Sequence, residues 1–433
     1  MLPDYIRKAV PNPRANRAPW YVNTAPTYAG IFLWVAFYQQ LAQGSIPHAG
    51  PGLILLALLI AGLLSFGLYY YAPAMLGMKT GFPLYVVGSS TFGTLGGYAM
   101  PGLFMGVLQV GWFAVSTSLA TKFILQGIGL NPAPGTAAFV VVAVIWGYTM
   151  AWIGAKGIHY VARVALYLNV ISFLMVLTVF VNTMGGIPSY TVPDPNPSQA
   201  MLFLIQAVIG FFATAGAAGA DFGMNSRDER DVRLGGFVGI TLAILYAGGL
   251  PILSVMGARA HNAHLQSLEF GSVIAALGGF LPTAMFFLFA IASIPSACFC
   301  AFIAGNSFAT MIPGVKRIAS TMAGVTVAIL LAVTGVADNL ISFFGFIGAS
   351  FGPICGAIAA DYLLSGKRWA GPRRGINWAG YAAWAIGFVV GMLPVQPAVV
   401  YSFLTGLVVY AVAAKLGFEP RPVSLDTERA VAR

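Results

Sequence analysis

The chain consists of long apolar runs that are separated by short stretches rich in Gly, Pro and polar residues. An α-helix needs about 20 predominantly apolar residues to cross the hydrocarbon core of a bilayer. The apolar/polar alternation of a membrane β-barrel is not seen. The pattern therefore predicts an all-α polytopic membrane protein with about twelve transmembrane helices, centred near Val35, Ala57, Gln109, Val144, Ser172, Phe212, Ile244, Phe287, Val327, Ser350, Ile386 and Leu407.

The close spacing of these runs predicts one transmembrane domain and no attached soluble module. The domain covers residues 28–415, and cytoplasmic tails of residues 1–27 and 416–433 flank it. The first tail lacks the apolar core that a signal peptide requires, so we expect it to be retained.

The composition supports the same class of protein. Only 8% of the 433 residues are charged and 58% are apolar, whereas a soluble domain has roughly 25% charged residues. This excludes a soluble enzyme, a nucleic-acid-binding protein, a disordered chain and a secreted disulfide scaffold. The three cysteines lie in apolar runs and predict neither a disulfide framework nor a metal site.

The positions of the basic residues predict the orientation of the chain. The net charge is +10 and the chain has 22 Lys and Arg. If the N-terminus is cytoplasmic, all of them except Lys122 and Arg259 fall on the cytoplasmic side of the twelve spans. Cytoplasmic loops carry an excess of Lys and Arg. We therefore expect both termini in the cytoplasm, with the protein in the cell (inner) membrane and with no nucleic-acid partner.

The acidic residues are informative because none lies near the centre of a predicted span. Asp221 and Asp361 are placed at cytoplasmic helix ends, and the others lie in loops or tails. Ionisable residues inside the membrane mark proton relays and voltage sensors. Since neither pattern is seen, we expect a site for a largely neutral planar solute that is held by stacking and by amide or hydroxyl groups.

Amide side chains interrupt two of the spans. In the first span, Gln39 and Gln43 are four residues apart and share a helix face. In the third span, Gln109 and Trp112 are three residues apart and also share a face. An indole that stacks on a ring, beside an amide that bonds its edge, predicts an aromatic-heterocycle site. The alternatives are helix–helix hydrogen bonds for the glutamines and simple packing or interfacial anchoring for Trp112.

The sixth span is rich in small residues, with four glycines and five alanines between residues 210 and 223. Glycine weakens a helix, which predicts a discontinuous helix whose free backbone groups line a binding site. Phe211, Phe212 and Thr214 would supply the side chains of that site. The alternative is a tight packing seam, since small residues permit close helix contact.

Pro295 interrupts the eighth span and removes one helical hydrogen bond. Ser293 and Ser296 are positioned to satisfy the carbonyl groups that are freed, which would make the kink purely structural. The other possibility is that Ser293 ligates a cation.

Four short motifs resemble those of the nucleobase:cation symporter family, which contains permeases for cytosine, purines, uracil, allantoin and hydantoin. The motifs run from Gly77 to Gly81, from Gln109 to Phe113, from Thr214 to Arg227 and from Pro353 to Leu363. Their order and spacing are similar to the family pattern over about residues 28–415. The resemblance is to the bacterial cytosine permease branch of the family.

The resemblance implies a LeuT-type inverted repeat of five plus five helices, followed by two C-terminal helices. The repeats would cover about residues 28–183 and 200–365, and the extra helices about residues 377–415. It also implies alternating access around a midplane site that is formed by the first, third, sixth and eighth spans.

The resemblance also assigns roles to the candidate residues. The base would stack between Trp112 and Phe212, and Gln109 and Thr214 would hold its edge. Gln39 and Phe211 complete the predicted set of substrate contacts.

For a coupling ion, the resemblance implies backbone carbonyls of the first span, at Trp34 and Tyr38, and two hydroxyls of the eighth span. The hydroxyl positions fall at Ser293 and Ile294, so one hydroxyl is missing. A family Asn that contacts the base falls at Pro295. These departures leave the ion (H+ or Na+) and the identity of the base open.

Together these observations predict a secondary active transporter that imports a cytosine- or purine-like base with H+ or Na+. No nucleotide-binding loop is present, and no cofactor or obligate protein partner is predicted beyond the substrate and the bilayer. The alternatives are a permease for another heterocycle (uracil, allantoin, hydantoin or a thiamine-like vitamin) and a non-transporting base-binding receptor. An enzyme is not expected, because the histidines lie in loops or at span ends: His48, His159, His261 and His264.

Overall fold

The computed structural model describes residues 2–38, 41–156, 158–262, 264–312, 314–423 and 425, without the side chains of residues 156–166. Gln39, one of the predicted substrate contacts, lies outside the described residues. Within the described part of the chain the regular structure is helical, with two isolated β-bridges and no strand.

Ten helices make up the first half of the chain: α1 (Asp4–Arg7), α2 (Thr24–Leu33), α3 (Val35–Tyr38), α4 (Pro51–Leu64), α5 (Tyr71–Thr80), α6 (Leu84–Phe92), α7 (Phe104–Gly127), α8 (Ala137–Lys156), α9 (Ile158–Thr183) and α10 (Pro197–Ala217). A π-helical segment, Ser65–Tyr70, joins α4 to α5, and another, Tyr98–Leu103, leads into α7.

Ten more helices follow: α11 (Gly219–Gly223), α12 (Glu229–Gly236), α13 (Ala243–His261), α14 (Phe270–Ala276), α15 (Leu281–Ala292), α16 (Ile294–Met311), α17 (Arg317–Val333), α18 (Leu340–Leu364), α19 (Trp378–Gly391) and α20 (Ala398–Lys415). A π-helical segment, Phe237–Leu242, joins α12 to α13.

The described helices confirm the predicted class and number of spans. Nine continuous helical stretches are long and apolar enough to cross a membrane. The shorter apolar helices α17 and α19, together with the broken first span formed by α2 and α3, bring the number to twelve. Each predicted span centre lies within one of these stretches.

Three spans are broken. α2 and α3 are separated by Trp34, whose backbone is extended (φ −69°, ψ 132°). α10 and α11 are separated by Ala218 (φ −65°, ψ 0°), and α15 and α16 by Ser293 (φ −79°, ψ −10°). Gly216 and Gly219 flank Ala218, and glycine weakens a helix. The predicted discontinuity of the sixth span is therefore confirmed.

The small residues of the sixth span also form a tight seam. Gly77 of α5 lies directly against the backbone of Ala220 in α11, and Gly223 of α11 lies against the backbone of Ala74 in α5. A side-chain carbon at either glycine would overlap the facing carbonyl group. The discontinuous helix and the packing seam, which the sequence offered as alternatives, thus occur together.

The first residues of the chain are folded onto the transmembrane domain. The Tyr5 hydroxyl donates to the Thr94 carbonyl (2.9 Å), and Arg17 Nη1 donates to the Met78 carbonyl (2.7 Å). Asn12 Nδ2 donates to the Met224 carbonyl (3.1 Å). This segment therefore contacts the last turn of α5 and residues that follow α6 and α11.

A buried ion network joins the end of α18 to α6 and to the residues after α20. Arg373 Nη1 donates to Asp361 Oδ1 and Arg373 Nη2 to Glu419 Oε2, each over 3.0 Å. Ser90 Oγ and Thr91 Oγ1 donate to Asp361 Oδ2, over 2.5 and 3.0 Å. We call these five residues the carboxylate–arginine network. Asp361 is at a helix end as predicted, but its arginine partner was not foreseen.

Candidate functional site

The third and sixth spans bring two of the predicted substrate contacts together. Trp112 Nε1 of α7 donates a hydrogen bond to Thr214 Oγ1 of α10, over 3.2 Å. The two residues are 102 positions apart in the chain, and both side chains are buried. Thr214 lies four residues before the break at Ala218, so the indole is held beside the last turn of α10.

Aromatic rings surround the Trp112 indole. Phe211 meets it edge-on, with ring centroids 4.9 Å apart and an interplanar angle of 74°. Trp34, at the break in the first span, lies 5.8 Å away, and Phe344 of α18 lies 5.6 Å away. We call Trp34, Trp112, Phe211 and Phe344 the aromatic cluster. Its rings come from four different spans and all are buried.

The ring that contacts Trp112 from the sixth span is Phe211 rather than Phe212, and the expected stacking of the base between Trp112 and Phe212 stays a prediction. Phe212 stacks on Phe32 of α2 (5.6 Å, 22°) and packs against Tyr28 (5.6 Å). Consecutive helical residues point about 100° apart, and Phe32 contacts both phenylalanines, with its ring 6.1 Å from that of Phe211. Phe212 therefore supports the cluster from the side of the first span.

Gln109 is buried one helical turn before Trp112, and most of its hydrogen-bonding capacity has no partner among the described residues. Its Nε2 donates to the Met105 sulfur over 3.6 Å. A thioether is a weak acceptor, whereas an amide offers two donors and two acceptor lone pairs. Since buried polar groups are normally satisfied in folded proteins, this amide is suited to hold the polar edge of a ligand.

Two polar groups of the first span are also buried without a partner among the described residues. They are Trp34 Nε1 and Tyr38 Oη. Tyr38 packs its ring edge-on against Phe270 of α14, 5.1 Å away. The hydroxyls of Ser116 and Thr117 on α7 are also buried without a hydrogen-bond partner among the described residues. Buried polar groups without a partner thus occur in the first and third spans, as they do elsewhere in the described part of the chain, for example at Ser65 and Trp146.

At the hinge in the eighth span, both serine hydroxyls bond to nearby carbonyl groups of the same span. The Ser293 hydroxyl donates to the Phe289 carbonyl, and the Ser296 hydroxyl donates to the Ser293 carbonyl, each over 3.0 Å. Both carbonyls also accept from backbone amides, those of Ser293 and Ala297.

The carbonyl whose helical donor Pro295 removes is that of Ile291, and it accepts from a backbone N–H at the end of α15. The hydroxyls therefore do not bond the carbonyl that Pro295 would free. Ile294 offers no oxygen from its side chain. A cation site formed by Ser293 with the carbonyls of Trp34 and Tyr38 stays a prediction.

The tenth span contributes to the site, which the sequence analysis did not foresee. Phe343 and Phe344 of α18 both contact Trp112, at 5.2 and 5.6 Å. Gly111 of α7 has no side chain, and the Phe343 ring occupies the space that a side chain there would fill. The two adjacent phenylalanines near the start of α18 were the sequence feature that could have indicated this contact.

Taken together, the geometry suits a planar, largely neutral ligand. Aromatic faces and edges would contact its ring, while Gln109 and Thr214 offer neutral hydrogen-bonding groups. Among the described residues no group of three or more His, Cys, Asp or Glu is arranged to hold a metal ion.

Solved structures with the same architecture are transporters. Over 98% of both chains, the fold is similar to that of Mhp1, a nucleobase-cation-symport-1 family transporter, in a closed conformation with bromovinylhydantoin bound, with a TM-score of 0.76 and 15% identity. It is also similar to a Na+-coupled sialic acid symporter (TM-score 0.61, 11% identity, 97% of this chain and 93% of that one). The predicted LeuT-type fold is confirmed, while the bounds of its repeats stay a prediction.

Sequence comparison identifies the family. The chain is 25% identical over 348 residues to the cytosine permease of Escherichia coli (strain K12), which covers 78% of this chain and 77% of that protein. The cytosine permease of Escherichia coli O157:H7 matches equally well. The family model described as "Permease for cytosine/purines, uracil, thiamine, allantoin" matches residues 11–416. The chain therefore belongs to this family of permeases.

Proposed function

We propose that the protein is a secondary active transporter that imports a cytosine- or purine-like base by alternating access. The observation that carries the proposal is the Trp112–Thr214 hydrogen bond, which sets an indole between α7 and α10 beside the uncommitted Gln109 amide. Family membership supports transport rather than catalysis. The proposal includes no cofactor and no obligate protein partner.

The aromatic cluster would contact the ring of the base, and the neutral polar groups would form hydrogen bonds with its edge. Ring contacts contribute about 0.5–1.5 kcal/mol beyond area burial for each aromatic pair. Hydrogen bonds from Gln109 and Thr214 would select the base, because a ligand that leaves a buried polar group unpaired loses about 1–3 kcal/mol. Phe211 would contact the ring, and Phe212 would hold Phe211 in place.

The broken helices support alternating access. The first and sixth spans are interrupted at Trp34 and Ala218, and transporters form midplane sites from such discontinuous helices. The two breaks lie next to Trp112 and Thr214, respectively. A bundle that rocks about this point would expose the same residues to either side of the membrane.

The coupling ion is proposed to be a cation, with the proton favoured over sodium. Sodium coupling by the family pattern needs two hydroxyls at the hinge of the eighth span, whereas the chain has Ser293 and Ile294 there. The Ser293 hydroxyl already donates to the Phe289 carbonyl. Sodium remains the second candidate, because the carbonyl groups near Trp34 belong to a helix break.

We also propose that both termini face the cytoplasm. The basic residues support this orientation, since only Lys122 and Arg259 fall on the other side. Of these two, Lys122 is neutralised by Asp338, with 2.7 Å between Nζ and Oδ2.

Uptake of labelled bases by proteoliposomes tests the proposal. Cytosine, adenine, hypoxanthine, uracil, allantoin, hydantoin and thiamine would be offered under an imposed pH gradient or an imposed sodium gradient. We expect saturable accumulation of cytosine or a purine that follows the pH gradient. Trp112→Ala and Gln109→Ala should abolish uptake, whereas Trp152→Ala, which alters an exposed tryptophan of α8, should not.

Different outcomes separate the alternatives. Accumulation of another compound in the panel would reassign the substrate. Saturable binding without accumulation under either gradient would indicate the receptor. Normal uptake by both site variants, in protein that inserts normally, would refute the site assignment.

A further inference from the structure

Among the residues that the structure describes, Asp221 is the acidic residue that is partly buried and has no basic partner. It lies in α11, three residues after the break at Ala218. Every other described Asp or Glu is exposed or pairs with a Lys, Arg or His. A carboxyl group that is shielded from water and lacks a positive neighbour binds a proton more readily than a paired one. Asp221 therefore has the surroundings of a proton-binding residue.

The Asp221 carboxylate bonds to the beginning of another helix. Its Oδ2 accepts from the amide of Leu84, the first residue of α6, over 3.4 Å. The preceding residue, Pro83, provides no side-chain cap, and negative charge is stabilising at the N-terminus of a helix. The distance is longer than that of an ordinary N–H···O bond, so the contact is weak. A protonated carboxyl group is a poorer acceptor than a carboxylate, so a bound proton would weaken the contact further.

Tyr28 of α2 connects Asp221 with the substrate side of the break. Its hydroxyl donates to the Ala215 carbonyl at the end of α10 (2.9 Å), and its ring lies 4.7 Å from that of Phe222 in α11. Tyr28 thus contacts the sixth span on both sides of the break, and it is close enough to Asp221 to interact with its charge. Ala215 directly follows Thr214, whose hydroxyl holds the indole of the site. A change of charge at Asp221 therefore acts close to the substrate contacts.

The described ionisable groups on the helices packed against α11 leave the charge of Asp221 uncompensated. Tyr28 and Tyr85, of α2 and α6, are neutral phenols that interact electrostatically with Asp221, and α10 carries no ionisable side chain. The remaining groups are Tyr71, which donates to Glu229, Lys79, which donates to the Lys367 carbonyl, Cys298, which donates to the Met150 carbonyl, and the buried thiol of Cys300. The arginines of the adjoining segments are Arg17, which donates to the Met78 carbonyl, and Arg227, which pairs with Asp231.

A proton suits this carboxylate better than a metal cation does. Hard metal cations are held by several oxygen ligands. In the described part of the chain, no group of three or more His, Cys, Asp or Glu is arranged for such a purpose. A proton needs only one carboxylate oxygen. Carboxylates of this kind, between the midplane and the end of a span, are the residues that serve proton transfer in membrane transporters.

We propose that Asp221 binds the proton that is transported together with the base. The inference rests on the function proposed above, in which a cation drives uptake. A proton from solution adds to a carboxylate oxygen, removes the negative charge at the start of α6 and loosens the contact with Leu84, and its release restores both. Because α11 lies beyond the break at Ala218, its contact with α6 can change while α10 keeps its place beside α7. The proton and the base would thereby favour the same arrangement of the sixth span.

Proton movement in proteoliposomes tests this assignment. The full-length protein would be reconstituted around a pH-sensitive dye, and cytosine or adenine would be added outside with the membrane potential clamped. We expect the base to acidify the lumen, and a gradient of about one pH unit to support up to about tenfold accumulation when one proton accompanies each base. Exchange of labelled base without any acidification would overturn the proton site and leave the transport function intact.

Substitutions at Asp221 separate proton binding from the contact with Leu84. Asp221→Asn keeps an oxygen that can accept from the Leu84 amide but cannot take up a proton. It should lose acidification and accumulation, yet still exchange internal for external base. Asp221→Glu should retain all three, as should Glu269→Gln, which makes the same change of charge at an exposed acid. Wild-type acidification by Asp221→Asn would exclude this residue. Loss of exchange as well, in folded protein, would contradict the proposal and show that the carboxylate only supports α6.

Carbodiimide labelling of the wild-type protein requires neither transport nor a folded variant. Dicyclohexylcarbodiimide reacts with carboxyl groups that are protonated and shielded from water, and peptide mass spectrometry locates the product. We expect label at Asp221, more in mildly acidic than in alkaline buffer, and none at the paired Asp361. No label at Asp221 in acidic buffer would overturn the proton site even if uptake of a base is confirmed. Label at Asp221 in a protein that transports no base would support proton binding and refute the transport function.

Discussion

The carboxylate–arginine network and the aromatic cluster are both buried, yet their polar groups are hydrogen-bonded to different degrees. In the network, both oxygens of Asp361 and both terminal nitrogens of Arg373 make hydrogen bonds, while Arg373 Nε and Glu419 Oε1 have no partner among the described residues. Beside the cluster, the Gln109 amide donates to a sulfur atom over 3.6 Å, and Trp34 Nε1 has no partner among the described residues.

The difference distinguishes groups that hold the fold from groups that are available to a ligand. A buried charge pair that is hydrogen-bonded, such as Asp361 and Arg373, stabilises one arrangement, whereas an unsatisfied buried group costs free energy until a partner arrives. Residues of the network should therefore matter for stability and those beside the cluster for binding. Substitutions in the two regions test whether stability and ligand binding depend on different residues.

The largest effect is expected in the network. Arg373→Ala leaves Asp361 buried without its positive partner, which should lower the free energy of unfolding by about 3–5 kcal/mol. Thermal unfolding in detergent would measure the change. Arg368→Ala, which removes a nearby exposed arginine, should change it by less than about 0.5 kcal/mol. Similar unfolding of the two variants would show that the network does not hold the fold.

In contrast to Arg373→Ala, Gln109→Leu should weaken ligand binding and leave the stability nearly unchanged. Loss of the amide should weaken binding of the transported base by about 1–3 kcal/mol, or roughly 5- to 150-fold, with little change in stability. Calorimetry and thermal unfolding of the same preparation would measure both quantities.

Gln206→Leu is the matched control, because Gln206 Oε1 already accepts from the Val399 amide (3.1 Å). It should lose stability and keep its affinity. An unchanged affinity in Gln109→Leu would remove this residue from the site.

Thr214→Val tests the hydrogen bond that joins the third and sixth spans. The variant removes the acceptor of the Trp112 Nε1 hydrogen bond, so stability should fall by about 1 kcal/mol, and base affinity should fall because the indole is no longer oriented. Thr214→Ser keeps the hydroxyl and should retain both. If valine and serine behave alike in unfolding and binding assays, the hydrogen bond does not position Trp112.

The smallest effect is expected at the hinge of the eighth span. Ser293→Ala removes one hydroxyl that bonds within its own helix, so stability should change by less than about 1 kcal/mol. Uptake should keep its response to sodium and pH. Loss of a sodium-dependent component in this variant would identify Ser293 as an ion ligand and contradict the structural role.

Periodicity and charge placement were sufficient to predict the spans. Twelve apolar runs cannot be shifted without exposing polar residues to lipid, so the span centres and the break among the glycines near Ala218 were predictable. The break at Trp34 was not, because no proline or glycine adjoins it. Its extended backbone depends on tertiary contacts such as that with Trp112.

The site was predicted in its residue types but not in its arrangement. Helical spacing correctly placed Gln109 and Trp112 on neighbouring turns of one buried helix. It could not decide whether Phe211 or Phe212 faces Trp112, because the rotation of α10 about its axis is set by packing against other spans. Phe344 was missed for the same reason, since its approach depends on how α18 crosses α7.

The close fit of Gly77 and Gly223 has a mechanical consequence. At Gly77 and Gly223 the backbones of α5 and α11 touch directly, so at these two points no side chain lies between the helices that could change rotamer and let them slide. They must therefore move as one rigid body. Any rearrangement of the sixth span is then concentrated at Ala218, one turn from Thr214, so the angle of this joint and the position of the hydroxyl that holds Trp112 change together.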